Sequence, residues 1–128
     1  MTTITEPRNL AEYIEKYAPA LRSAFNNIAE LKRLVRIDRT NFDNCIYSAM
    51  FQITDSRVKG YYFLDLSIQA YDSHVDIILD ILDQEGNELH VQAIRYSHTF
   101  IACNTEQVAV NVYKISLANL LNELKQVA

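Results

Sequence analysis

Carboxylates are the side chains of this sequence whose spacing most readily suggests chemistry. Between Lys59 and Arg95 the chain has seven acidic residues and no Lys or Arg. The seven are Asp65, Asp72, Asp76, Asp80, Asp83, Glu85 and Glu88. Asp76 and Asp80 are four residues apart, so on a β-strand their side chains point to the same side of the sheet. Two carboxylates about 5–10 Å apart in a cleft can perform acid–base catalysis. On a solvated sheet face they instead keep the sheet soluble, and we favour this second interpretation.

Tyrosines accompany the acidic segment. The chain has eight Tyr and no Trp, and Tyr is enriched at protein interfaces because its ring buries area while its hydroxyl stays wet. Tyrosines that belong to the hydrophobic core and its rim would explain this number nearly as well. We predict a surface that binds another protein with a basic surface, formed by Asp72, Asp76, Asp80, Asp83, Tyr61, Tyr71 and Tyr96. This favours a small acidic intracellular binding module that acts as an inhibitor, adaptor or chaperone.

Sites for nucleotides, metals and covalent catalysis find little support in the sequence. Phosphate-cradling loops need several closely spaced glycines, but Gly60 and Gly86 are the only two and each suits a turn. The three histidines form no HExxH motif or close ligand pair, and structural zinc usually needs four ligands. A GxSxG nucleophile motif is absent as well. We therefore expect no cofactor and no metal, and a binding protein rather than an enzyme.

The alternative function is a small-molecule site, enzymatic or sensory, between the predicted sheet and the predicted N-terminal helix. Arg33 and Arg36 fall near the end of that helix, where cations complement the negative end of the helix dipole. This structural role is sufficient to explain them. Together with a nearby Tyr or His, however, the two guanidinium groups could hold an anionic ligand.

Length and charge limit the remaining possibilities. A chain of 128 residues is long enough for one domain with its own core, and we predict a single domain over residues 1–128. The net charge of −4 argues against direct nucleic-acid binding, which requires clustered positive charge. Residues 8–39 nevertheless carry seven Lys or Arg against four acids. This asymmetry suits self-association or a basic partner, and we expect a homodimer.

Cysteines and hydropathy indicate the compartment. Cys45 and Cys103 are isolated in apolar surroundings, which favours buried free thiols over a single disulfide. The first residues lack the basic and apolar regions of a signal peptide. No apolar run approaches the roughly 18 residues of a membrane span. We therefore expect a cytoplasmic protein without a membrane partner.

A heptad stripe dominates the N-terminal region. Spacings of four and three alternate along Leu10, Ile14, Tyr17, Leu21, Ala24, Ile28, Leu31 and Val35. This period predicts a long helix over the whole stripe, kinked near Pro19 and packed on the sheet. The alternative is that the stripe forms a helical dimer seam.

Alternation of polar and apolar residues predicts the sheet. Strands are expected over residues 44–54, 58–70, 73–83 and 88–97. Residues 73–83 also fit a helix with a capping pair at Ser73 and Asp76. Their β-branched residues and the Glu-Gly-Asn sequence that follows favour a strand that enters a hairpin.

The hairpin register can be predicted from the positions of the apolar residues. A three-residue loop at 85–87 places Ile81 opposite Val91 and Leu79 opposite Ala93. Directly opposite residues share a face, so all four side chains would point to the core. We therefore predict the three-residue loop.

The C-terminal third has two competing interpretations. Residues 98–103 are short and apolar like the start of a strand, and the Val-rich residues 106–115 alternate like a last strand. Ser116 would then cap a helix with one apolar face. The competing prediction is one longer helix from Asn104, with Gln107 as its capping partner. Overall we predict an α+β fold, in which a long N-terminal helix packs on a mainly antiparallel sheet of four to six strands, with a C-terminal helix.

Overall fold

The computed structural model describes residues 10–34 and 45–127. Three helices and five strands lie in these ranges. The helices are α1 (Leu10–Asn26), α2 (His98–Cys103) and α3 (Thr105–Val127). The strands are β1 (Leu31–Arg33), β2 (Cys45–Ile53), β3 (Phe63–Ala70), β4 (Val75–Leu82) and β5 (Glu88–Tyr96). The predicted α+β class is confirmed.

The five strands form one sheet in the order β1-β2-β3-β4-β5, and every neighbouring pair is antiparallel. Each strand therefore pairs with the next one along the chain. Short turns allow this order: the Tyr71 N–H donates to the His74 carbonyl at 2.8 Å between β3 and β4, and the Val58 N–H donates to the Asp55 carbonyl at 3.0 Å between β2 and β3. The predicted antiparallel sheet is confirmed, and residues 73–83 supply the strand that we favoured.

The described helices pack on one face of the sheet. The fully buried residues of β4 are Val75, Ile77, Leu79 and Ile81. They form one apolar cluster with the alternate residues of β3 and with helix side chains such as Leu21, Phe25 and Val112. Complete burial of one Leu or Ile side chain stabilises a protein by about 1.5–3 kcal/mol. Most of the packing energy therefore comes from this face.

The N-terminal helix is shorter than the heptad stripe predicts. α1 ends at Asn26, and the chain then turns so that Leu31–Arg33 form the edge strand β1 beside β2. Asn26 and Asn27 favour this stop, since Asn side chains compete with the helix for backbone hydrogen bonds. Leu31 is still buried, with 5% exposure. The stripe therefore keeps its apolar phase while the backbone changes from helix to strand.

In its other properties, too, the predicted long helix agrees with the structure in part and differs from it in part. α1 continues through Pro19, and its residues Tyr17 and Leu21 belong to the core, as expected of a helix that covers its own sheet. The longest described helix, however, is α3 with 23 residues. Val35 and Arg36, which the prediction placed at the end of the helix, lie outside the described residues.

The C-terminal third is helical, so the predicted last strand over 106–115 is wrong and the competing long helix is closer. The buried residues of α3 are Val108, Ala109, Val112, Tyr113, Ser116, Leu117 and Leu120. Their spacings of one and three residues follow a helical period, which outweighs the β-propensity of the valines. Residues 98–103 form the separate helix α2, whose N-cap Ser97 accepts a hydrogen bond from the Phe100 N–H. The predicted capping role of Gln107 is also wrong, because its amide donates to Asn111 Oδ1 at 2.8 Å.

The β4–β5 hairpin has a wider loop than predicted. Leu82 lies opposite Glu88, and a one-residue shift follows, so that Ile81 lies opposite His90 rather than Val91. The Asp83 carboxylate explains the wider loop, since its Oδ1 accepts hydrogen bonds from the backbone N–H groups of both Glu85 and Asn87 at 2.9 Å. The shift turns Val91 and Ala93 away from the core, to the face opposite the helices.

The two cysteines are free thiols. Cys45 is half-buried on β2, where its Sγ lies 3.9 Å from Ser67 Oγ. Cys103 ends α2 and is exposed. The expectation of a buried thiol is therefore wrong for Cys103, because residues 98–103 form a surface helix instead of a strand.

Candidate functional site

The sheet face opposite the helices is the candidate site, and we call it the open face. Its residues are the partly exposed alternate positions of the strands, and no described helix packs on them. Four rows of directly opposite residues cross it: Met50, Asp65, Asp80 and Val91; then Ser48, Ser67, Ile78 and Ala93; then Gln69, Asp76 and Arg95; and, next to the β4–β5 loop, Lys32, Gln52, Phe63, Leu82 and Glu88. Acidic, apolar and basic side chains therefore share this face.

The first row contains a pair of carboxylates. Asp65 on β3 lies directly opposite Asp80 on β4, and both are half-buried. Like charges at directly opposite positions destabilise a sheet. Met50 and Val91 flank the pair on the outer strands, and Val91 is 52% exposed. The row thus combines negative charge with apolar surface that a partner can cover.

Asp76 lies on the same face as Asp80, which their spacing predicts, but it has a cation of its own. Arg95 donates to Asp76 through Nε at 3.0 Å and through Nη2 at 3.4 Å, and His74 Nε2 lies 3.7 Å from the same carboxylate. The Arg95 hydrogen bonds are the main reason that the pKa of Asp76 is below its ordinary value. The negative charge of this row is therefore partly neutralised within the chain.

A hollow of about 360 Å³ lies at the end of the open face next to the β4–β5 loop. Its apolar wall is formed by Leu34, Met50, Phe63 and Leu82, and its other wall by residues 83–86. The acids Asp83 and Glu85 belong to that loop. We call this cavity the open-face hollow. An apolar wall beside two acids suits a long side chain with an aliphatic stem and a positive end.

Asp83 itself is largely occupied with its own loop. Besides its two backbone hydrogen bonds, its Oδ2 accepts from Asn87 Nδ2 at 3.3 Å. The Asn87 backbone N–H is the strongest of the donors that lower the pKa of Asp83. Asp83 therefore remains ionised and fixes the shape of the hollow.

The seven residues predicted to bind a partner are spread along β4, with Asp80 between two groups near the opposite ends of the strand. Tyr61 is 62% exposed and shares a smaller cavity of about 260 Å³ with Asp83 and Glu85. At the other end, Asp72 is exposed in the β3–β4 turn. The length of an eight-residue strand, about 27 Å at ~3.4 Å per residue, separates the two ends. The predicted residues therefore do not form one compact patch.

Tyr71 and Tyr96 belong to the second end. The Tyr71 hydroxyl donates to Gln69 Oε1 at 2.7 Å, and its ring centroid lies 5.0 Å from that of His74. Tyr96 ends β5 opposite Val75, and its ring stacks on Phe100 with centroids 5.4 Å apart. Neighbours therefore hold both rings, Tyr71 beside Gln69 of the open face and Tyr96 on the core face.

Of the two residues predicted for an anionic ligand, the structure describes Arg33. Arg33 lies on β1 instead of a helix end, with its guanidinium 5.7 Å from the centre of the Tyr47 ring. Arg36 lies outside the described residues. The space between the described helices and the sheet is filled by the apolar core.

A surface cavity offers a different place for such a ligand. It has a volume of about 390 Å³ and is lined by Arg57, Tyr113, Lys114, Leu117, Ala118 and Leu121. Arg57 is held there by Asp55, whose Oδ1 and Oδ2 accept its Nε and Nη2 at 2.9 Å. The Tyr113 hydroxyl also donates to Asp55 Oδ2 at 2.7 Å. These donors lower the pKa of Asp55, while burial and the carboxylate raise the pKa of Tyr113.

A second buried polar cluster joins α1 to α2. The ring of His98 lies between the Tyr17 hydroxyl, 2.9 Å from Nδ1, and the Tyr71 carbonyl, which contacts Nε2. A carbonyl oxygen only accepts hydrogen bonds, so Nε2 carries a proton. In the neutral ring, Nδ1 is then unprotonated and accepts a hydrogen bond from the Tyr17 hydroxyl. This pattern satisfies both nitrogens in a structural role.

Sequence reasoning missed several residues of the open face. Asp65 was recognised as one of seven acids, but its position beside Asp80 follows only from strand pairing. Val91 and Ala93 were predicted to face the core, and Leu34 was predicted to lie on a helix. The alternation of polar and apolar residues along β3 was the signal that pointed to Asp65.

Comparisons with protein-family models, with curated proteins and with solved structures find no match to this chain. Within residues 10–34 and 45–127, no group of three or more His, Cys, Asp or Glu is placed to hold a metal ion. Among the described helices, none combines the length and the apolar character that crossing a membrane requires.

Proposed function

We propose that the protein is a non-enzymatic binding module, an inhibitor, adaptor or chaperone, that docks its open face on a basic surface of another protein. The observation that carries this proposal is the open-face hollow, with its apolar wall and the acids of the β4–β5 loop. A Lys or Arg side chain of the partner would place its methylene groups against Met50 and Leu82 and its charge beside Glu85. Such an anchor in a pocket is typical of protein interfaces.

Charge supports the choice of a basic partner. The chain has a net charge of −4, and Asp65 and Asp80 bring two carboxylates together in the middle of the open face. A guanidinium or ammonium group that approaches this row would meet acidic residues of two neighbouring strands. A basic partner would also be attracted over distance, which raises the rate of association at low salt.

The size of the open face indicates how far the contact extends. Four strands about 4.8 Å apart and about 27 Å long cover roughly 500 Å². A standard interface buries about 800 Å² on each partner. We therefore expect the contact to extend onto the loops at the ends of β4. Tyr61 and Tyr71 lie there, which keeps them in the proposed binding surface.

A pair of matched variants tests this proposal. Gln84 lines the open-face hollow and is exposed, whereas Gln107 is exposed on α3. We expect a tagged wild-type chain and the Gln107→Arg variant to capture the same protein from native lysate. Gln84→Arg should lose it, because an added cation fills the hollow and repels a basic partner. Equal recovery of every captured protein with both variants would contradict the proposal.

A second candidate function, the binding of an amphipathic anion, is favoured by the cavity beside α3. Leu117, Ala118 and Leu121 give this cavity an apolar wall, and Arg57 and Lys114 place two cations at it. A carboxylate or phosphate with an aliphatic tail would fit this combination. Long-chain fatty acids should then raise the melting temperature of the wild type and of Lys125→Gln, since ligands that bind only the native state stabilise it. Lys114→Gln should reduce the shift, and no shift in the wild type would rule this candidate out.

A further inference from the structure

Within the part of the chain that the structure describes, the long outer edge of β5 has no paired strand. β5 is the last strand in the sheet order and has nine residues, whereas β1 at the other edge has three. Among the described residues, the only backbone partner of β5 in the sheet is β4, and no loop backbone hydrogen-bonds to it. Val91, Gln92 and Ala93 in the middle of the strand are exposed. Backbone N–H and C=O groups along this edge are thus available to another strand.

The protection of β5 as an edge strand is confined to its ends. Natural edges are blunted by charged residues, by Pro and by β-bulges. β5 has neither Pro nor Lys, and its two charges, Glu88 and Arg95, lie near its ends. A shift in register near Leu89 is its one irregularity. An edge of this kind is suited to pairing with a strand of matching sequence.

We propose that two copies of the chain pair through the outer edges of β5, antiparallel and with Gln92 opposite Gln92 of the second copy. The two five-stranded sheets then form one sheet of ten strands. The symmetry would be a two-fold axis perpendicular to the sheet, the commonest symmetry of homodimers. Such an axis keeps each face continuous, so residues that meet across the edge belong to the same face.

Charge complementarity selects this register. The shift near Leu89 brings Glu88 to the open face, opposite Leu82, three positions from Gln92 along β4. Arg95 lies opposite Asp76, three positions from Gln92 in the other direction. A two-fold axis at Gln92 therefore places Glu88 opposite Arg95 of the second copy. The contact occurs twice, once on each side of the axis.

The remaining pairs fit the same register. Val91 meets Ala93 of the second copy on the open face, and His90 meets Ile94 on the core face. An axis at Val91 would instead place Ala93 opposite Glu88, and an axis at Ala93 would place Val91 opposite Arg95. In both of these registers, Glu88 and Arg95 no longer lie opposite each other. Arg95 is 66% exposed while it binds Asp76, so its Nη1 side can still reach a second carboxylate.

The dimer extends the open face without resting on the proposed docking. Two open faces of roughly 500 Å² each, joined edge to edge, give about 1,000 Å² of continuous surface. This exceeds the ~800 Å² per partner of a standard interface. The two proposals can fail separately. A dimer that binds no other protein would contradict only the docking, and a monomer that binds a basic partner would contradict only the dimer.

Charge exchange tests the dimer and its register together. Glu88→Lys places two cations opposite each other at both contacts, and Arg95→Glu places two acids there. We expect the full-length wild type to be a dimer by light scattering after size-exclusion chromatography. Each variant alone should dissociate about a hundredfold more readily, as two like-charge contacts of about tenfold each imply. Glu106→Lys, on the exposed first turn of α3, is the control and should remain a dimer.

Mixing the two variants gives the decisive result. In a mixed dimer the introduced lysine meets the introduced glutamate at one contact, and the native Glu88 and Arg95 meet at the other. We therefore expect the equimolar mixture to dimerise at a concentration at which each variant alone is mainly monomeric. Circular dichroism of each variant separates loss of folding from loss of pairing. A monomeric wild type, or a dimer that Glu88→Lys leaves unchanged, would overturn the proposal.

Discussion

Asp65 and Asp80 lie directly opposite each other on neighbouring strands, half-buried on the sheet face that no described helix covers. Val91 lies opposite Asp80 on β5 and is 52% exposed, so acidic and apolar side chains adjoin there. This relationship connects the fold to the proposed function, because it places negative charge where a partner can reach it.

Because the core lies on one face of the sheet, substitution of two adjacent isoleucines should lower the free energy of unfolding by different amounts. Ile77 is fully buried among the helices, whereas Ile78 is half-exposed on the open face. We expect Ile77→Ala to lower the free energy of unfolding by about 2–5 kcal/mol, because it removes buried methyl groups and leaves a cavity. Ile78→Ala should cost at most about 1 kcal/mol. Urea denaturation measures both, and equal losses would contradict a core on one face only.

The sheet could be predicted because its signal is local. Alternation within β2, β3 and β4 identifies each strand without reference to its neighbours. The end of α1 was missed because Leu31 is buried in both interpretations, so the apolar stripe continued in phase from helix to strand. The first half of α3 was predicted as a strand, with a longer helix as the alternative, because Val108, Val110 and Val112 have high β-propensity.

The candidate site was harder to predict because it depends on contacts between distant residues. The position of Asp65 beside Asp80 requires the register of β3 with β4. Val91 faces the open side only because the register shifts by one residue between Ile81 and Leu82. Apolar alternation along the chain cannot reveal such a shift.

The β2–β3 turn should make stability depend on pH. Donors from Arg57 and Tyr113 keep the pKa of the buried Asp55 below its ordinary value of 3.8. Because the pKa is lower in the folded state, this stabilisation is complete above about pH 4 and is lost as the pH falls further. Asp55→Asn should therefore cost about 1–3 kcal/mol at pH 7 and less at pH 3.

Denaturation at the two pH values measures this difference. Tyr113→Phe is the companion variant, since it removes one hydrogen bond to Asp55 and keeps the Arg57 contact. It should cost about 1 kcal/mol at pH 7. A cost of Asp55→Asn that does not change with pH would show that the carboxylate charge contributes nothing to stability.

The hairpin loop depends on the backbone of Gly86. Its φ angle is 84°, and a Cβ atom added there would meet no atom within 4 Å. Gly86→Ala should therefore destabilise the protein through backbone strain alone, by about 1–2 kcal/mol. Gly86→Asn should cost less, because Asn adopts positive φ more readily. Thermal denaturation of both variants checks this order, and an Ala variant as stable as the wild type would refute it.

Because Tyr17 contacts His98, we expect the effects of their substitutions on the free energy of unfolding to be coupled. Tyr17→Phe removes the hydroxyl near Nδ1 and should cost about 1 kcal/mol. His98→Ala leaves buried polar groups and a cavity, so about 2–4 kcal/mol is expected. In the His98→Ala background, Tyr17→Phe should cost clearly less than it does alone. Strictly additive effects in this double-mutant cycle would show that the two groups do not interact.

Binding of the captured partner at different salt concentrations shows whether the open face recognises a basic surface. The variant to compare with the wild type carries Asp80→Asn and Glu85→Gln, which remove one charge from the open-face row and one from the loop beside the open-face hollow. Glu106→Gln on α3 removes an exposed charge elsewhere and is the control. Melting temperatures confirm that all three proteins are folded before titration calorimetry.

If the open face binds a basic surface, wild-type affinity falls as salt increases. The double variant should bind at least about tenfold more weakly at low salt, with a flatter salt dependence, while Glu106→Gln follows the wild type. Equal affinity and equal salt dependence for the wild type and the double variant would contradict the account.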